Sequence, residues 1–253
     1  MIVVKSEREL EKMRRAGALV ADVMQSVVKV AAPGLTTGEL DALAEAGITA
    51  AGAIPAFKGY RGFPASLCTS LNSQVVHGIP GGRVLQEGDL LSLDLGAIVE
   101  GYYGDMAVTV AIGEVSEEAR RLLRVGRESL EAGIARVRAD GRLTDISHAV
   151  QTVAEAAGFS VVRDFAGHGI GREMHEDPQI LNFGAPGRGP RLKKGMVLAI
   201  EPMVNLGDYR VRTEEDGWTV VTVDGELSVH FEHTVAVTSN GPEVLTDPGR
   251  RIE

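Results

Sequence analysis

Leu85-Gln-Glu-Gly88-Asp-Leu-Leu91-Ser-Leu93-Asp94 and Leu192-Lys-Lys-Gly195-Met-Val-Leu198-Ala-Ile200-Glu201 share one pattern, Leu-x-x-Gly-x-x-Leu-x-aliphatic-acid, at an offset of 107 residues. Each ends an apolar run on a carboxylate, which is costly there unless the group is paired or holds a metal ion. Each is followed by a second acid that opens another apolar run: Asp105 before Met-Ala-Val-Thr-Val, Glu232 before His-Thr-Val-Ala-Val. The chain therefore reads as two related halves, about 1–113 and 114–253, each giving two carboxylates to one central site.

The rest of the chain fits around that frame. Ser6-Glu-Arg-Glu9 has the spacing of a capping box, and Leu10, Met13, Ala16, Val20 and Met24 repeat at helical spacing. A helix is predicted over 7–31, stopped by Pro33-Gly34. Thr37 is the expected cap of a second helix over 38–51. Residues 55–68, rich in Gly, Pro and aromatics, read as an ordered loop. Strands over 84–99 and 102–112 meet around Glu100-Gly101. In the second half Ser116-Glu-Glu opens a helix over 117–138, Gly141 repeats Gly34 at the same offset, and Thr144 is the expected cap of a helix over 145–157. Strands follow over 161–165, 196–203, 218–223 and 226–238, with Asp224-Gly225 as a hairpin turn. Residues after Asp247 read as a frayed tail. Helix–helix–strand–strand occurs twice, which predicts pseudo-twofold symmetry rather than a solenoid. No stretch is rich enough in Pro, Gly or Ser to separate independent domains, so 1–253 reads as one domain.

Composition excludes several classes. The chain has 253 residues, 44% hydrophobic and 24% charged, which is ordinary for a globular protein. A net charge of −9 argues against specific nucleic-acid binding as its main task. The single cysteine, Cys68, cannot close an intramolecular disulfide and fits a reducing compartment. The N-terminus is no signal peptide and no run reaches membrane-spanning length, so the expected location is the cytoplasm.

The chemistry lies in five residues. Asp94 and Asp105 flank a turn near Val99-Glu100, which predicts that they lie directly opposite each other on one sheet face. Two like charges there require something positive between them. His168 sits in Ala166-Gly-His-Gly-Ile-Gly171, where flanking glycines leave its ring unobstructed. The stretch is not a dinucleotide loop, because Arg172 stands where the third glycine is required. His175-Glu176 does not open a zincin motif, because position 179 is Gln. Glu201 and Glu232 complete the set. One imidazole and four carboxylates suit two divalent cations, Mn, Fe or Co at least as well as Zn. Two such ions about 3–4 Å apart can share a water and lower its pKa.

These residues stand in motifs that resemble the methionine aminopeptidase family, type I, of the pita-bread fold: Val76-His-Gly-Ile-Pro80, Ser92-Leu-Asp-Leu-Gly96, Gly104-Asp105, Gly167-His-Gly-Ile-Gly171, Met174-His-Glu-Asp-Pro178, Ile200-Glu-Pro-Met203, Gly217-Trp-Thr219 and Phe231-Glu-His-Thr234. The resemblance covers nearly the whole chain. It implies an α+β fold of two pseudo-symmetric halves around a curved antiparallel sheet. It implies two divalent metal ions (Co, Mn, Fe or Zn), with Asp94 on one, His168 and Glu201 on the other, and Asp105 and Glu232 bridging. It also places His77 and His175 beside the scissile amide, where an imidazole can donate to the carbonyl oxygen or the developing tetrahedral centre. His148 reads as a surface residue, and alternation points His233 away from the metals.

The implied mechanism is attack of a metal-bridging hydroxide on the first peptide carbonyl, with Glu201 as proton shuttle. The free amino group of the substrate would bind at the metals and restrict cleavage to chain ends. The implied side-chain pocket is Tyr60, Phe63, Cys68, Met174 and Trp218, with Phe57 at its border. Its apolar, polarisable wall suits a thioether. Phe57, Phe63, Met174 and His230 depart from the bacterial pattern, in which a small residue, Tyr, Phe and Gln are expected. Cys68 is not the expected nucleophile, since metal-bound water fills that role. The resemblance further implies nascent N-terminal peptides as substrates, a small second residue, contact with the ribosome and a monomer, without a membrane or specific nucleic-acid partner.

Proline-directed relatives share the fold and ligands but carry a large N-terminal domain for which the segment before Val76 leaves no room. The span from Glu201 to Glu232 is too short for the helical insertion of type II enzymes. No Cys/His-rich extension precedes the core. A binding module without activity would be expected to have lost a metal ligand, and none is lost.

Overall fold

Capping chemistry sets where the helices begin. The computed structural model describes residues 1–247, so the tail expected after Asp247 lies outside the described residues. Helix α1 (Glu7–Val30) starts at Ser6, whose N–H donates to the Glu9 carboxylate at 2.9 Å. Helix α2 (Thr37–Ala50) starts at Thr36, which donates to Glu39 at 2.7 Å and accepts from the Glu39 N–H. Thr37 is therefore not the cap; its hydroxyl donates to the Gly81 carbonyl. Helix α3 (Glu117–Ile134) is capped by Ser116. It ends four residues before the expected limit, where tighter turns bury Val137. Helix α4 (Leu143–Ala156) follows Arg142, whose N–H donates to Asp145. Thr144 likewise is not a cap: its hydroxyl donates to the Arg188 carbonyl.

The strands are β1 (Ile54–Pro55), β2 (Leu67–Leu71), β3 (Gln74–Val76), β4 (Leu90–Val99), β5 (Tyr102–Ala111), β6 (Ser160–Val161), β7 (Ala166–Gly169), β8 (Glu176–Leu181), β9 (Val197–Ile200), β10 (Met203–Asn205), β11 (Val211–Thr213), β12 (Val220–Thr222), β13 (Ser228–His230), β14 (Glu232–Thr238) and β15 (Gly241–Val244). The main sheet runs β1-β4-β5-β14-β9-β7-β8, antiparallel throughout, with β2 also on β4 and β15 also on β14. Its middle is the symmetric order β4-β5-β14-β9, one pair from each half, with β5 and β14 meeting at the junction.

Hydrogen bonds repeat between the halves. The N–H groups of Thr37 and Gly38 donate to the carbonyls of Arg83 and Gly81, as those of Leu143 and Thr144 donate to Pro190 and Arg188. The bridge Thr36–Val84 matches the bridge Arg142–Arg191. The strand side of each pair is offset by 107 residues and the helix side by 106. The left-handed residue matching Gly34 is consequently Asp140 (φ 65°), and not Gly141. That one-residue slip sets Thr144 two residues past its cap, Arg142, where Thr37 is one past Thr36.

Two expected strands are broken. Residues 196–203 divide at Glu201-Pro202 into β9 and β10, in different sheets, because Pro202 has no N–H for a ladder. Residues 226–238 divide at Phe231, whose N–H donates instead to the Pro202 carbonyl. The expected loop over 55–68 contains the end of β1, a 3₁₀ turn (Tyr60–Gly62) and the start of β2. The strand expected over 161–165 shrinks to β6, and His168 lies inside β7.

Strand alternation separates core from site. Leu91, Leu93 and Leu95 are fully buried in the main core with α1 and α2 residues such as Val20, Met24 and Leu40. Burial of each stabilises the fold by about 2 kcal/mol relative to exposure. Ser92, Asp94 and Gly96 point to the other face.

Candidate active site

The ladder register brings all five expected metal ligands to one face. Asp94 pairs with Ala107, and Ala107 pairs with Glu232. Glu201 follows β9 directly, one step beyond the Ile200–His233 pair, and so continues that row. The adjacent row holds Gly96 opposite Asp105 and Thr234 opposite Ala199, which in turn is opposite His168. Thr234 joins the two halves of this row: its Oγ1 accepts from the Asp105 N–H at 3.1 Å and donates to the Asp105 carbonyl at 2.8 Å. Gly96, Ala107 and Ala199 keep the face open between the acids.

Donor atoms of Asp105, His168 and Glu232, all buried, lie within 4.8 Å of one another. His168 Nε2 is 3.4 Å from Glu201 Oε1. His168 Nδ1–H donates to the Gly169 carbonyl at 2.9 Å, leaving the Nε2 lone pair for the site. Asp94 Oδ1, Asp105 Oδ1 and Glu232 Oε1 are buried without a hydrogen-bond partner. Hard oxygen donors left bare beside an imidazole nitrogen fit divalent cations.

The electrostatics agree. Burial pushes the Asp94 carboxyl up to about 7. Burial, then the neighbouring carboxylates, raises Asp105, Glu201 and Glu232 well above the ordinary range. Burial, then His175, lowers His168 to about 4, so its imidazole is neutral and able to ligate at neutral pH. Four acids that resist ionisation on one wall form a site that gains from bound positive charge.

The two expected catalytic histidines flank this wall. His175 stands exposed at the mouth, with its ring centroid 4.3 Å from that of His168. Its Nδ1 is 2.8 Å from the Tyr60 hydroxyl. His77 holds a left-handed backbone, φ 60°, uncommon for a residue with a Cβ. Gly78 makes this possible, because a Cβ there would strike the Thr69 carbonyl. The His77 ring meets Phe165 and Trp218 edge-on, at 5.7 and 6.2 Å. Burial lowers its pKa to about 4.

The residues expected to line the side-chain pocket lie together in one apolar cluster. Phe63, Cys68 and Met174 are buried together with Phe57, and Tyr60 and Trp218 pack against them. Phe63 meets Trp218 edge-on at 5.1 Å. Cys68 lies directly across the ladder from Asp94, which places this pocket against the acid face. Burial and the surrounding acids raise the Cys68 thiol well above its ordinary value, so it serves as wall. Phe57 covers Gly96, where a Cβ would come within 2.8 Å of its ring. His148 is exposed on α4, and His233 turns to the opposite face, 2.9 Å from Thr246 Oγ1.

His230 is a site residue for which no role was legible in the sequence. It is buried, with Nε2 3.9 Å from Glu201 Oε2 and 4.0 Å from Glu232 Oε2. The available signal was parity: position 230 shares the alternation of 232. Thr234 and Lys5 were also missed. Lys5 pairs with Glu176 at 2.6 Å beneath the segment that carries Met174 and His175.

Comparison with known proteins agrees with this arrangement. The model of metallopeptidase family M24 matches residues 11–239. A methionine aminopeptidase of Clostridium perfringens (strain 13 / Type A) is 56% identical over 246 residues, 97% of this chain and 99% of that one. The crystal structure of a methionine aminopeptidase from Thermotoga maritima matches with a TM-score of 0.96 at 50% identity, covering 98% of this chain and 100% of that one. A prolidase from Pyrococcus horikoshii OT3 matches with a TM-score of 0.80 and 22% identity, covering 100% of this chain but 66% of that one. At that identity the likeness shows the fold alone. The pita-bread layout, the full-length matches and the acid-lined face lead to one assignment: the chain belongs to metallopeptidase family M24 and, within it, to the methionine aminopeptidases.

Proposed function

We propose that the chain hydrolyses the first peptide bond of N-terminal methionyl peptides and newly made proteins, at a centre of two divalent cations, Co, Mn, Fe or Zn. The observation that carries this reading is the convergence of Asp94, Asp105, His168, Glu201 and Glu232 on one face, beside a buried apolar cluster. Asp94 would hold one ion, His168 and Glu201 the other, with Asp105 and Glu232 shared. Bound there, such ions supply Lewis acidity and an activated water.

The chain's own residues do the remainder. The pocket of Phe63, Cys68, Met174 and Trp218 takes the thioether side chain and sets the scissile bond over the acid face. Burial raises the proton affinity of Glu201, which suits a carboxyl that takes a proton from water and passes it to the leaving nitrogen. His77, kept neutral by burial, and His175, whose pKa partial desolvation and then the Arg61 charge lower, donate hydrogen bonds to the carbonyl oxygen and amide nitrogen. The Tyr60 hydroxyl fixes which nitrogen of His175 faces the substrate. A small second residue, action on nascent chains at the ribosome, a monomeric state, a cytoplasmic location and one catalytic unit over 1–253 belong to the same reading. Among the described residues no helix is long and apolar enough to cross a membrane.

Glu201→Ala tests the assignment. Turnover should be abolished while circular dichroism stays that of the folded protein. Full activity in that variant contradicts the role given to Glu201.

A further inference from the structure

The geometry points to a docking surface for the phosphate backbone of RNA, on the edge of the second half where β9 begins, at the other end of that strand from Glu201. Two segments form it. Residues 136–145 contain Arg136, Arg138 and Arg142, and residues 186–194 contain Arg188, Arg191, Lys193 and Lys194. The segments are zipped together by hydrogen bonds from Asp140 N–H to the Leu192 carbonyl, Leu192 N–H to the Gly141 carbonyl and Leu143 N–H to the Pro190 carbonyl. Seven cations are thereby gathered on one edge of a chain whose net charge is −9. Six are exposed, and Arg142 is half-buried.

These cations do limited work within the protein: the N–H groups of Gly187 and Arg142, assisted by the charges of Arg138 and Arg136, lower the Asp145 carboxyl. Among the described residues none of the seven forms an ion pair with a carboxylate. The two acids in these segments are Asp140 and Asp145. The Asp145 carboxylate accepts the N–H groups of Gly187 and Arg142. Arg142 and Arg191 each donate to a backbone carbonyl, of Gly189 and Asp140 respectively.

The pseudo-symmetry provides an internal control. The same hydrogen-bonded scaffold occurs in the first half, where the positions matching the seven cations are Val30, Ala32, Thr36, Gly81, Val84, Gln86 and Glu87. None is basic. The scaffold therefore folds without these charges, and their concentration in one copy indicates a polyanionic partner rather than a structural need.

Two features favour a nucleic-acid backbone over an anionic membrane. No large exposed apolar side chain belongs to the patch, so nothing there would insert into a bilayer. The patch also has depth: Arg136, Arg138, His148 and Thr152 line a cleft of ≈ 390 Å³ between α3 and α4, whose one acid, Asp145, is engaged by the Gly187 and Arg142 N–H groups. Arginine, the commonest of these cations, matches phosphate bidentately. Nothing in this surface depends on the metal-site reading.

The test is fluorescence anisotropy of the full chain with a labelled RNA hairpin, titrated from low to high salt. Binding should weaken linearly in log salt, by about 0.9 log units per phosphate contacted. Lys193→Gln/Lys194→Glu installs the residues that the first half carries at the matching positions. It should weaken binding at least tenfold and flatten the slope by about 2, as loss of two contacts requires. Arg138→Ala/Arg188→Gly, also matched to the first half, should act alike. Thermal melts and tripeptide hydrolysis should stay those of the parent in both. Equal affinity and slope in parent and variants, or no RNA binding by the parent at low salt, overturns the proposal. So does capture by phosphatidylserine vesicles without RNA binding, which would assign the surface to membranes.

Discussion

Asp94 and Asp105 share a sheet face on a diagonal: Asp94 stands opposite Ala107, and Asp105 opposite Gly96. A turn at Val99-Glu100 would have set them squarely across from each other. The turn is instead Glu100-Gly101, with φ of 50° and 79°, the paired left-handed residues of a tight hairpin. Moving the turn by one residue moves the pairing by two, so the face is kept and only the spacing changes. Gly101→Val, a β-branched residue in that conformation, should cost about 1–2 kcal/mol. Urea melts check this, and an unchanged midpoint contradicts it.

Metal binding should release protons. Asp94 loses its proton only near pH 7, and Asp105, Glu201 and Glu232 hold theirs more tightly than ordinary carboxyls because of burial and mutual repulsion. Ligation needs the ionised forms. Affinity for Mn or Co should therefore rise as pH increases from 6 to 8. Calorimetry at pH 7 in two buffers of different ionisation enthalpy should show protons entering the buffer. Identical heats in both buffers contradict this.

Tyr60→Phe removes the hydroxyl that faces His175 Nδ1 at 2.8 Å. One neutral hydrogen bond contributes about 0.5–1.5 kcal/mol, so kcat should fall up to about tenfold. His175→Ala should cost more, about 10²–10³ in kcat. Steady-state kinetics at saturating metal separates the two, and equal losses would show that Tyr60 does more than orient the imidazole.

Lys5 and Glu176 form a buried pair, with side chains 3% and 8% exposed. Glu176 also accepts the Arg172 N–H at 2.9 Å, so the pair ties the N-terminal segment to the turn before His175. Glu176→Gln leaves the Lys5 charge uncompensated and should destabilise the fold by about 3–5 kcal/mol. The double variant Lys5→Met/Glu176→Met should cost less than that single change. Denaturant melts of both decide it.

The acid-ended apolar runs were legible because strand alternation is a short-range rule: Asp94, Asp105, Glu201 and Glu232 needed only parity to share a face. The duplication was legible from Gly88 and Gly195, which hold matching left-handed turns, φ 92° and 88°. The short strands β2, β3, β8 and β11 were not, because their pairing is decided by distant partners and carries little local periodicity. The cap of α2 was misplaced by one residue, since a Thr-Thr pair offers two candidate caps and only the Glu39 carboxylate's choice of Thr36 separates them; the cap of α4 was misplaced by two, at Thr144 rather than Arg142. His230 stayed without a role because its place beside Glu201 depends on the break at Phe231, which follows from Pro202 in another segment.

The most direct measurement is release of free methionine from Met-Ala-Ser by metal-stripped protein, before and after adding Mn, Co or Fe, with Ala-Pro-Ala as control. Cleavage of Met-Ala-Ser alone, and only after metal is restored, is the expected result. Metal-independent release, or cleavage confined to Ala-Pro-Ala, would contradict the reading of the acid face and its pocket.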